Sequence, residues 1–321
     1  MDKKLIIKIE KFFLKKEKKN IFFQKELEGG KNSKVLKFIG KKKNFAVKVY
    51  SDFKRLNREK LFYNFLKKRK ISSVLRILYT NYKLKLIIFE YIDGKKIKNI
   101  SNKDVSQLII FLNNLNQKID LRFPHSIDGI KDRKDHVKLC EKKIKDLKLI
   151  NKKLLISKKL DKFLNEYLIP KFKYLKRDVK EKNFKKYFVR LKKKDLIMSP
   201  SDIGFHNILK KKDKLFFFDF EYAGLDDPVK LICDFLCQPD QNITNYQKKI
   251  FINNKLFSRG QSVDINFLVK LFLPFHKIKW CCIMLNQIEL IKKNKDISSI
   301  IKNDNIRKKI NKVISYFNKN F

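Results

Sequence analysis

The amino-acid sequence predicts an α+β protein with two lobes: a small β-rich lobe at residues 1–93 and a larger, mostly helical lobe at residues 94–321. Between residues 20 and 92, five short apolar runs are separated by turn signals, and one longer segment has helical periodicity. Beyond residue 94 the periodicity is mostly helical. Of the 321 residues, 43% are hydrophobic, which is enough to bury a sizeable core in a chain of this length.

The first lobe is predicted to contain five strands and one helix in the order β-β-β-α-β-β. The predicted strands cover residues 21–27, 34–38, 45–50, 74–80 and 84–91. Ser51 is the predicted N-cap of the helix, which ends near Lys68, and Phe53, Leu56 and Phe62 begin its apolar stripe.

The second lobe is predicted to be helical with one interruption. Residues 101–104 have the pattern of a capping box and start a helix that runs to residue 119. Residues 135–190 are rich in lysine, with recurring leucine, isoleucine and phenylalanine, and predict two or more amphipathic helices. Residues 196–220 predict loops and short strands, and helices then resume to residue 321.

Lysine dominates the charge of the chain. There are 79 Lys+Arg against 33 Asp+Glu, a net charge of +46, yet only 10 of the basic residues are arginine and only two residues are alanine. Because lysine, asparagine, isoleucine and phenylalanine are all abundant, drift in an AT-rich genome explains the charge better than a selected nucleic-acid patch does. Residues 201–250 are the exception, with eight acids against seven lysines.

Several other classes of protein are disfavoured by the sequence. The longest apolar runs are shorter than ten residues, whereas a membrane-spanning helix needs about twenty. Lysines and acids interrupt the apolar residues of the first sixteen positions, unlike a secretory signal. The five cysteines lack a paired metal-binding spacing, which predicts reduced thiols in a cytoplasmic protein.

Three polar residues near the middle of the chain have a spacing that suits phosphoryl transfer. Asn207 follows Asp202 by five residues, and Asp219 ends an apolar run seventeen residues after Asp202. Phosphoryl transfer needs a carboxylate to orient the acceptor hydroxyl and oxygen ligands for magnesium on the ATP phosphates. The spacing predicts the first role for Asp202 and metal binding by Asn207 and Asp219. Taken alone, Asp202 and Asn207 also fit a turn with a helix-capping asparagine.

The first lobe contains a candidate lysine for the phosphates. Lys48 lies in the third predicted strand between apolar residues, and a buried ammonium requires a partner. Glu59, eleven residues further on in the predicted helix, is the expected partner. The alternative for Glu59 is a solvated surface acid.

Two further segments of the first lobe predict nucleotide contacts. The turn between the first two strands, which contains Gly29, Gly30 and Ser33, is expected to cover the phosphates, although it has only two glycines. Backbone groups of Glu90 and Ile92, at the end of the fifth strand, are expected to contact adenine. An ordinary strand end is the alternative there.

Together these segments resemble the aminoglycoside phosphotransferase and choline kinase family, small-molecule relatives of protein kinases. The resemblance spans residues 20–240, most strongly over residues 201–209 and 219–234. It implies a two-lobed protein-kinase-like fold, with ATP and Mg2+ as cofactors. It also implies transfer of the γ-phosphate to a hydroxyl of a small molecule, such as a sugar-like or amino-alcohol metabolite. A protein kinase is less favoured, because the sequence after Asp219 lacks the corresponding activation-loop ending.

Some residues depart from the family pattern or have secondary roles. Pro200 replaces the usual histidine two residues before Asp202, and a proline can also stiffen that loop. For Glu221 we favour a structural role over contact with a second metal. Asp227 and Asp234 are expected to cap helices or brace loops, and His206 is expected to pack.

The acceptor is not specified by the sequence. The segments 95–195 and 229–321, where the resemblance places the acceptor site, contain no cluster that selects one compound class. Their lysine-rich helices favour a sugar-like or anionic metabolite over a cationic one. The expected partners are thus ATP and a small-molecule acceptor, with no specific nucleic acid. The alternative is a nucleic-acid or anionic-surface binding protein on a degenerate kinase fold, and the presence of both Asp202 and Asp219 argues against it.

We expect the net charge of +46 to cause only weak, non-selective polyanion binding. A diffuse positive field attracts DNA, RNA and heparin alike at low salt, and the attraction fades near about 0.15 M salt. A salt titration of binding to all three polyanions measures this. Selective binding that survives physiological salt would favour the nucleic-acid alternative.

Overall fold

The structure is a computed structural model that describes residues 3–27, 33–154, 158–239, 241–292 and 304–321. The chain forms two compact units. The first unit comprises Met1–Gln117 and Gly204–Ala223, and the second comprises Lys118–Ile203 and Gly224–Phe321. Residues 94–117 and 204–223 therefore belong with the N-terminal sheet, and the boundary between residues 93 and 94 stays a prediction for the division into lobes.

The elements confirm the predicted α+β class. In the described part of the chain the strands are β1 (Ile21–Leu27), β2 (Ser33–Gly40), β3 (Asn44–Tyr50), β4 (Ile77–Asn81), β5 (Leu86–Glu90), β6 (Lys95–Lys96), β7 (Ile197–Ser199), β8 (Ile208–Lys211), β9 (Lys214–Phe217) and β10 (Gly224–Asp226). The α-helices are α1 (Lys3–Glu17), α2 (Phe53–Lys68), α3 (Asn102–Leu115), α4 (Asp135–Leu154), α5 (Lys158–Lys162), α6 (Ile169–Glu181), α7 (Pro228–Leu236), α8 (Asn245–Ile252), α9 (Lys255–Ser258), α10 (Ile265–Lys292) and α11 (Asp304–Asn320).

A five-stranded antiparallel sheet forms the centre of the first unit, with strand order β1-β2-β3-β5-β4. All five strands were predicted. However, β4 begins three residues later than expected, because Val74 instead bridges to Phe217 at the end of β9. Helix α1, which the sequence analysis did not predict, covers the sheet with Ile9 and Phe13. The Phe13 ring lies 4.8 Å from that of Phe45 on β3.

The starts and ends of α2 and α3 depend on capping. Ser51 is not the N-cap of α2: Asp52 is, because its carboxylate accepts the Arg55 backbone N–H at 2.9 Å. The predicted capping box over residues 101–104 is confirmed. Helix α3 ends at Leu115, four residues before the predicted end, because the next residue leaves helical backbone geometry and caps the last turn.

The second unit is mainly helical, as predicted. Helices α4 to α6 occupy the segment for which two or more amphipathic helices were expected, and α10 packs against α4, α7 and α11. All five cysteines are buried free thiols, in agreement with the sequence prediction. Among the described residues, no helix combines the length and the apolar character that crossing a membrane would require.

A buried carboxylate fixes α7 to α10. Asp234 on α7 accepts hydrogen bonds from the Lys279 ammonium and from the Trp280 indole N–H at 3.0 Å. Its Oδ1 also lies 3.1 Å from Nδ1 of His276. Burial by itself raises the pKa of the Asp234 carboxyl, but the Lys279 and His276 side chains lower it by more. The pKa of Asp234 therefore lies well below its usual value. Asp234 is therefore a brace, as expected from the sequence.

The start of α7 is held in a similar way. Asp227 is its N-cap and accepts the Val229 N–H at 2.9 Å, as predicted for a capping carboxylate. The same residue lies 3.2 Å from Nε2 of His136, whose Nδ1 is 2.8 Å from Nε2 of His276. Two imidazoles thus connect the carboxylates at the two ends of α7.

We expect the stability of the protein to fall as the pH drops below about 6.5. Burial and the Lys279 ammonium lower the pKa of His276 from 6.5 to about 3. Between these values the unfolded chain binds a proton that the folded chain excludes, so acid favours unfolding, by about 2 kcal/mol at pH 5 for this one group. Urea unfolding of wild type and His276→Gln from pH 8 to pH 5 measures the effect.

His276→Gln should flatten the pH dependence, whereas His206→Gln, at an exposed histidine, should leave it unchanged. The same pH slope in wild type and His276→Gln would contradict the expectation.

Candidate active site

Lys48 lies at the centre of a buried charge cluster in the first unit. Its side chain, on β3, is 7% exposed, and its ammonium is 2.6 Å from Oε2 of Glu59 and 2.6 Å from Oδ1 of Asp219. A third carboxylate, that of Glu221, is 3.3 Å away. Burial by itself lowers the pKa of Lys48, but the three carboxylates together raise it above its ordinary value. Lys48 is therefore held as a cation.

Glu59 is directed toward Lys48 from α2. It is 1% exposed and also accepts the Tyr50 hydroxyl at 2.8 Å and the Phe220 backbone N–H at 3.2 Å. Burial raises the pKa of Glu59, and the Lys48 ammonium opposes that rise. The predicted Lys48–Glu59 pair is present. Tyr50 was missed, although it is two residues beyond Lys48 on the same strand, where side chains share one face.

Asp219 reaches Lys48 from a turn after β9. Its backbone is left-handed, with φ of 67°, a conformation that aspartate tolerates better than most residues. The Phe218 N–H donates to the backbone carbonyl of Asn207 at 3.1 Å, which ties this turn to the segment before β8. The two predicted metal-binding residues, Asn207 and Asp219, are thus brought near each other through the backbone.

Glu221 belongs to the same cluster, which the sequence did not reveal. Its Oε2 is 3.3 Å from Lys48, and its Oε1 is 3.6 Å from Nε of Arg55, which also donates to the Tyr222 hydroxyl at 3.3 Å. The structural role favoured for Glu221 stays a prediction. The available signal for Glu221 was its position two residues after Asp219 in the sequence. No local pattern indicated Arg55.

The carboxylates around Lys48 are also candidate ligands for a cation. Among the described residues, one carboxylate oxygen each of Glu59, Asp219 and Glu221 lies within 4.8 Å of the other two. Three carboxylates face the single Lys48 ammonium, and the Arg55 guanidinium near Glu221 is also paired with Asp52, so negative charge is left over. Asp219, with 24% of its side chain exposed, is the most accessible of the three. Hard oxygen donors of this kind are what Mg2+ prefers.

Asp202 lies in a loop of the second unit, directly after β7. Its backbone N–H donates to the Pro200 carbonyl at 3.1 Å, and its Oδ1 accepts the side-chain N–H of Gln238 at 3.0 Å. Gln238 was not predicted, because it is thirty-six residues away along the chain. His206, for which a packing role was expected, is exposed because its short 3-10 turn buries the residues on either side instead.

The structure describes only some of the residues that were predicted to contact the nucleotide. Gly29 and Gly30 lie outside the described residues, while Ser33 is buried at the start of β2 opposite Tyr50. The Glu90 N–H donates to the Arg76 carbonyl at 2.9 Å, and the Ile92 carbonyl accepts the Gly94 N–H at 2.9 Å. The Glu90 N–H and the Ile92 carbonyl therefore both form hydrogen bonds within the chain. The roles of Ser33, Glu90 and Ile92 in nucleotide binding stay predictions.

Removal of the Lys48 charge should destabilise the fold strongly. In Lys48→Met three carboxylates lose their buried cation, and the expected loss is about 3–5 kcal/mol of unfolding free energy. Lys48→Met combined with Glu59→Gln should lose less than the sum of the two single changes, because each change removes the other's partner. Urea unfolding of all four proteins gives the coupling energy.

Lys43→Met, at a 45% exposed lysine 3.2 Å from Glu17, is the matched control and should cost less than about 1 kcal/mol. Additive effects of the Lys48 and Glu59 changes would mean that the two residues are not coupled.

Comparison with known proteins gives a clear answer for the fold. No protein-family model matches the sequence, and no curated protein matches it. Among solved structures, ADP-bound aminoglycoside phosphotransferase APH(2'')-Ib is 17% identical, with 99% of this chain and 97% of that chain covered and a TM-score of 0.58. Choline kinase LicA from Streptococcus pneumoniae is 13% identical, with 97% and 99% covered and a TM-score of 0.60. An ethanolamine kinase from Plasmodium vivax is 18% identical, with 100% and 91% covered and a TM-score of 0.60. The chain therefore has the protein-kinase-like fold of these enzymes, as its sequence motifs predicted.

Proposed function

We propose that this protein is an ATP-dependent phosphotransferase that moves the γ-phosphate to a hydroxyl group of a small molecule. The observation that carries the proposal is the buried Lys48, held by Glu59 and Asp219 at 2.6 Å each. A cation fixed in this way is a ready-made ligand for the phosphates of a nucleotide. The fold is shared with an ADP-bound aminoglycoside phosphotransferase, which supports the same use here.

Lys48 would bind a phosphate oxygen of ATP. Of its two closest partners, Glu59 is buried while Asp219 is partly exposed. A phosphate oxygen can therefore replace the contact with Asp219, while Glu59 keeps the ammonium in place. Because Glu59 also accepts hydrogen bonds from Tyr50 and from the backbone of Phe220, its carboxylate needs no rearrangement when the nucleotide binds.

Asp219 and Asn207 would hold the magnesium ion. When bound, Mg2+ neutralises charge on the phosphates of ATP. The surplus carboxylate charge around Lys48 favours a divalent cation at this place, and the left-handed turn presents Asp219 at the accessible side of the cluster. Both residues supply oxygen donors, which is the chemistry that magnesium requires.

Asp202 would orient the acceptor hydroxyl and accept its proton. In the reaction the hydroxyl oxygen forms a bond to the γ-phosphorus, and the bond from that phosphorus to the β–γ bridging oxygen breaks. ADP leaves, and the hydroxyl proton passes to the Asp202 carboxylate and then to solvent. Asp202 is five residues before Asn207 in the sequence, the spacing on which both of these proposed roles are based.

The acceptor is proposed to be a sugar-like, amino-alcohol or similar metabolite. The solved structures of this fold include enzymes named for spectinomycin, choline and ethanolamine. An assay with γ-labelled ATP and Mg2+ against panels of aminoglycosides, amino-alcohols, sugars and anionic hydroxy compounds tests the proposal. Transfer of label to one class is expected. Failure of every panel, together with absent MgATP binding, would refute the assignment.

Asp202→Asn and Asp219→Asn should fail in different ways. Asp202→Asn should lower kcat about 100-fold or more and leave the affinity for MgATP within about twofold, because only the base is lost. Asp219→Asn should instead weaken magnesium-dependent nucleotide binding. Calorimetric titration with MgATP and steady-state kinetics separate the two effects.

Asp213→Asn, at an exposed aspartate that pairs with Lys103, is the matched control and should behave as wild type. Wild-type turnover in Asp202→Asn would remove the central assignment.

A further inference from the structure

The side chain of Gln238 makes a direct contact with the proposed base. Its amide Nε2 donates to Oδ1 of Asp202 at 3.0 Å, within the range of a good hydrogen bond. Both side chains are half-buried, so the bond is partly protected from competing water. The two residues are thirty-six positions apart in sequence, and the bond therefore depends on the tertiary structure rather than on a local turn.

Gln238 itself is held firmly in place. It follows directly after Cys237, the C-cap residue of α7, whose backbone carbonyl accepts the Tyr316 hydroxyl at 2.9 Å. One turn earlier, Asp234 is braced by donors from α10, including the Trp280 indole at 3.0 Å. The end of α7 is thus anchored on two sides, and Gln238 projects from a rigid support.

The backbone before Asp202 is fixed by separate contacts. Ser201 is left-handed, with φ of 69°, a conformation that costs energy for a residue other than glycine. Its N–H donates to the Ser199 hydroxyl at 3.0 Å, and its own hydroxyl accepts a hydrogen bond from Lys230 at 3.3 Å. Lys230 is in turn paired with Asp226 at 2.8 Å. These contacts define where the Asp202 side chain begins but not which way its carboxylate turns.

We propose that Gln238 is a positioning residue that sets the orientation of the Asp202 carboxylate for proton transfer. This inference rests on the proposed phosphotransferase function. The chemistry of the donor matters: a neutral amide orients the carboxylate without cancelling its charge. A lysine or arginine at the same place would also donate a hydrogen bond, but it would form an ion pair and make Asp202 a weaker proton acceptor.

Three substitutions separate orientation from charge. Gln238→Glu keeps the size but removes the donor and adds a negative charge, Gln238→Leu removes the donor without adding a charge, and Gln238→Lys keeps a donor but adds a positive charge. All three should lower kcat by about 10- to 100-fold, with KM for ATP within about twofold of wild type, because the base and not nucleotide binding is affected. Gln238→Leu and Gln238→Glu lose the donor that orients the carboxylate, whereas Gln238→Lys makes Asp202 a weaker proton acceptor. Gln238→Lys with wild-type kcat would overturn the argument for a neutral donor, and wild-type kcat in Gln238→Leu would overturn the proposal itself.

Gln241→Leu is the matched control. Gln241 is three residues further on and donates its side-chain N–H to the Phe235 carbonyl at 3.1 Å. Its substitution removes a similar amide bond beside α7 without a change at Asp202. It should leave kcat within about twofold of wild type, whereas an equal loss in Gln241→Leu and Gln238→Leu would show a general effect of damage to this segment.

A readout that is independent of activity distinguishes failure of the inference from failure of the proposed function. In protein labelled with 13C at aspartate carboxyls, the Asp202 signal is assigned by its absence in Asp202→Asn. Gln238→Leu should shift or broaden this signal, and Gln241→Leu should not. An unchanged signal overturns the positioning role. A changed signal in a protein that transfers no phosphate would support the contact and refute the phosphotransferase function alone.

Discussion

The first unit depends on one interaction, the burial of the Lys48 ammonium among carboxylates. A buried charge without partners strongly destabilises a protein. The strand, the helix and the turn that meet at Lys48 must therefore all be in place for the ammonium to be buried. β3 supplies the lysine, α2 supplies Glu59, and the segment after β9 supplies Asp219 and Glu221. The contacts that satisfy this buried charge are therefore the same contacts that build the proposed phosphate site.

Two left-handed residues place the proposed catalytic carboxylates. Asp219 itself has φ of 67° in the first unit, and Ser201, immediately before Asp202, has φ of 69° in the second. In both cases a short strand ends and the chain turns sharply, so that a polar side chain leaves the end of a buried strand. Positive φ at non-glycine residues is strained, and such strain is retained where the surrounding contacts require it. At Ser201 the hydroxyl of Ser199 and the ammonium of Lys230 supply those contacts.

The sequence was sufficient for those parts of the site that follow a local pattern. Alternating apolar residues and turn signals located the five strands, and an apolar neighbourhood distinguished Lys48 from the other lysines. The contacts of Arg55 with Glu221 and of Gln238 with Asp202 could not be predicted, because they join distant segments and leave no periodic trace. The cap of α2 was misplaced by one residue because serine and aspartate, adjacent here, have the same capping chemistry.

Pairing with buried lysines accounts for three of the eight acids in residues 201–250, the stretch that departs from the basic composition of the chain. Among the described residues three lysines are buried, and each is paired with a carboxylate from this stretch: Lys48 with Asp219, Lys230 with Asp226, and Lys279 with Asp234. A surface position can change to lysine at little cost, because a solvated ammonium needs no partner. Loss of any of these three acids would instead remove a carboxylate partner from a buried cation. The acids that neutralise these buried lysines, including one at the proposed active site, therefore carry an energetic constraint that surface positions lack.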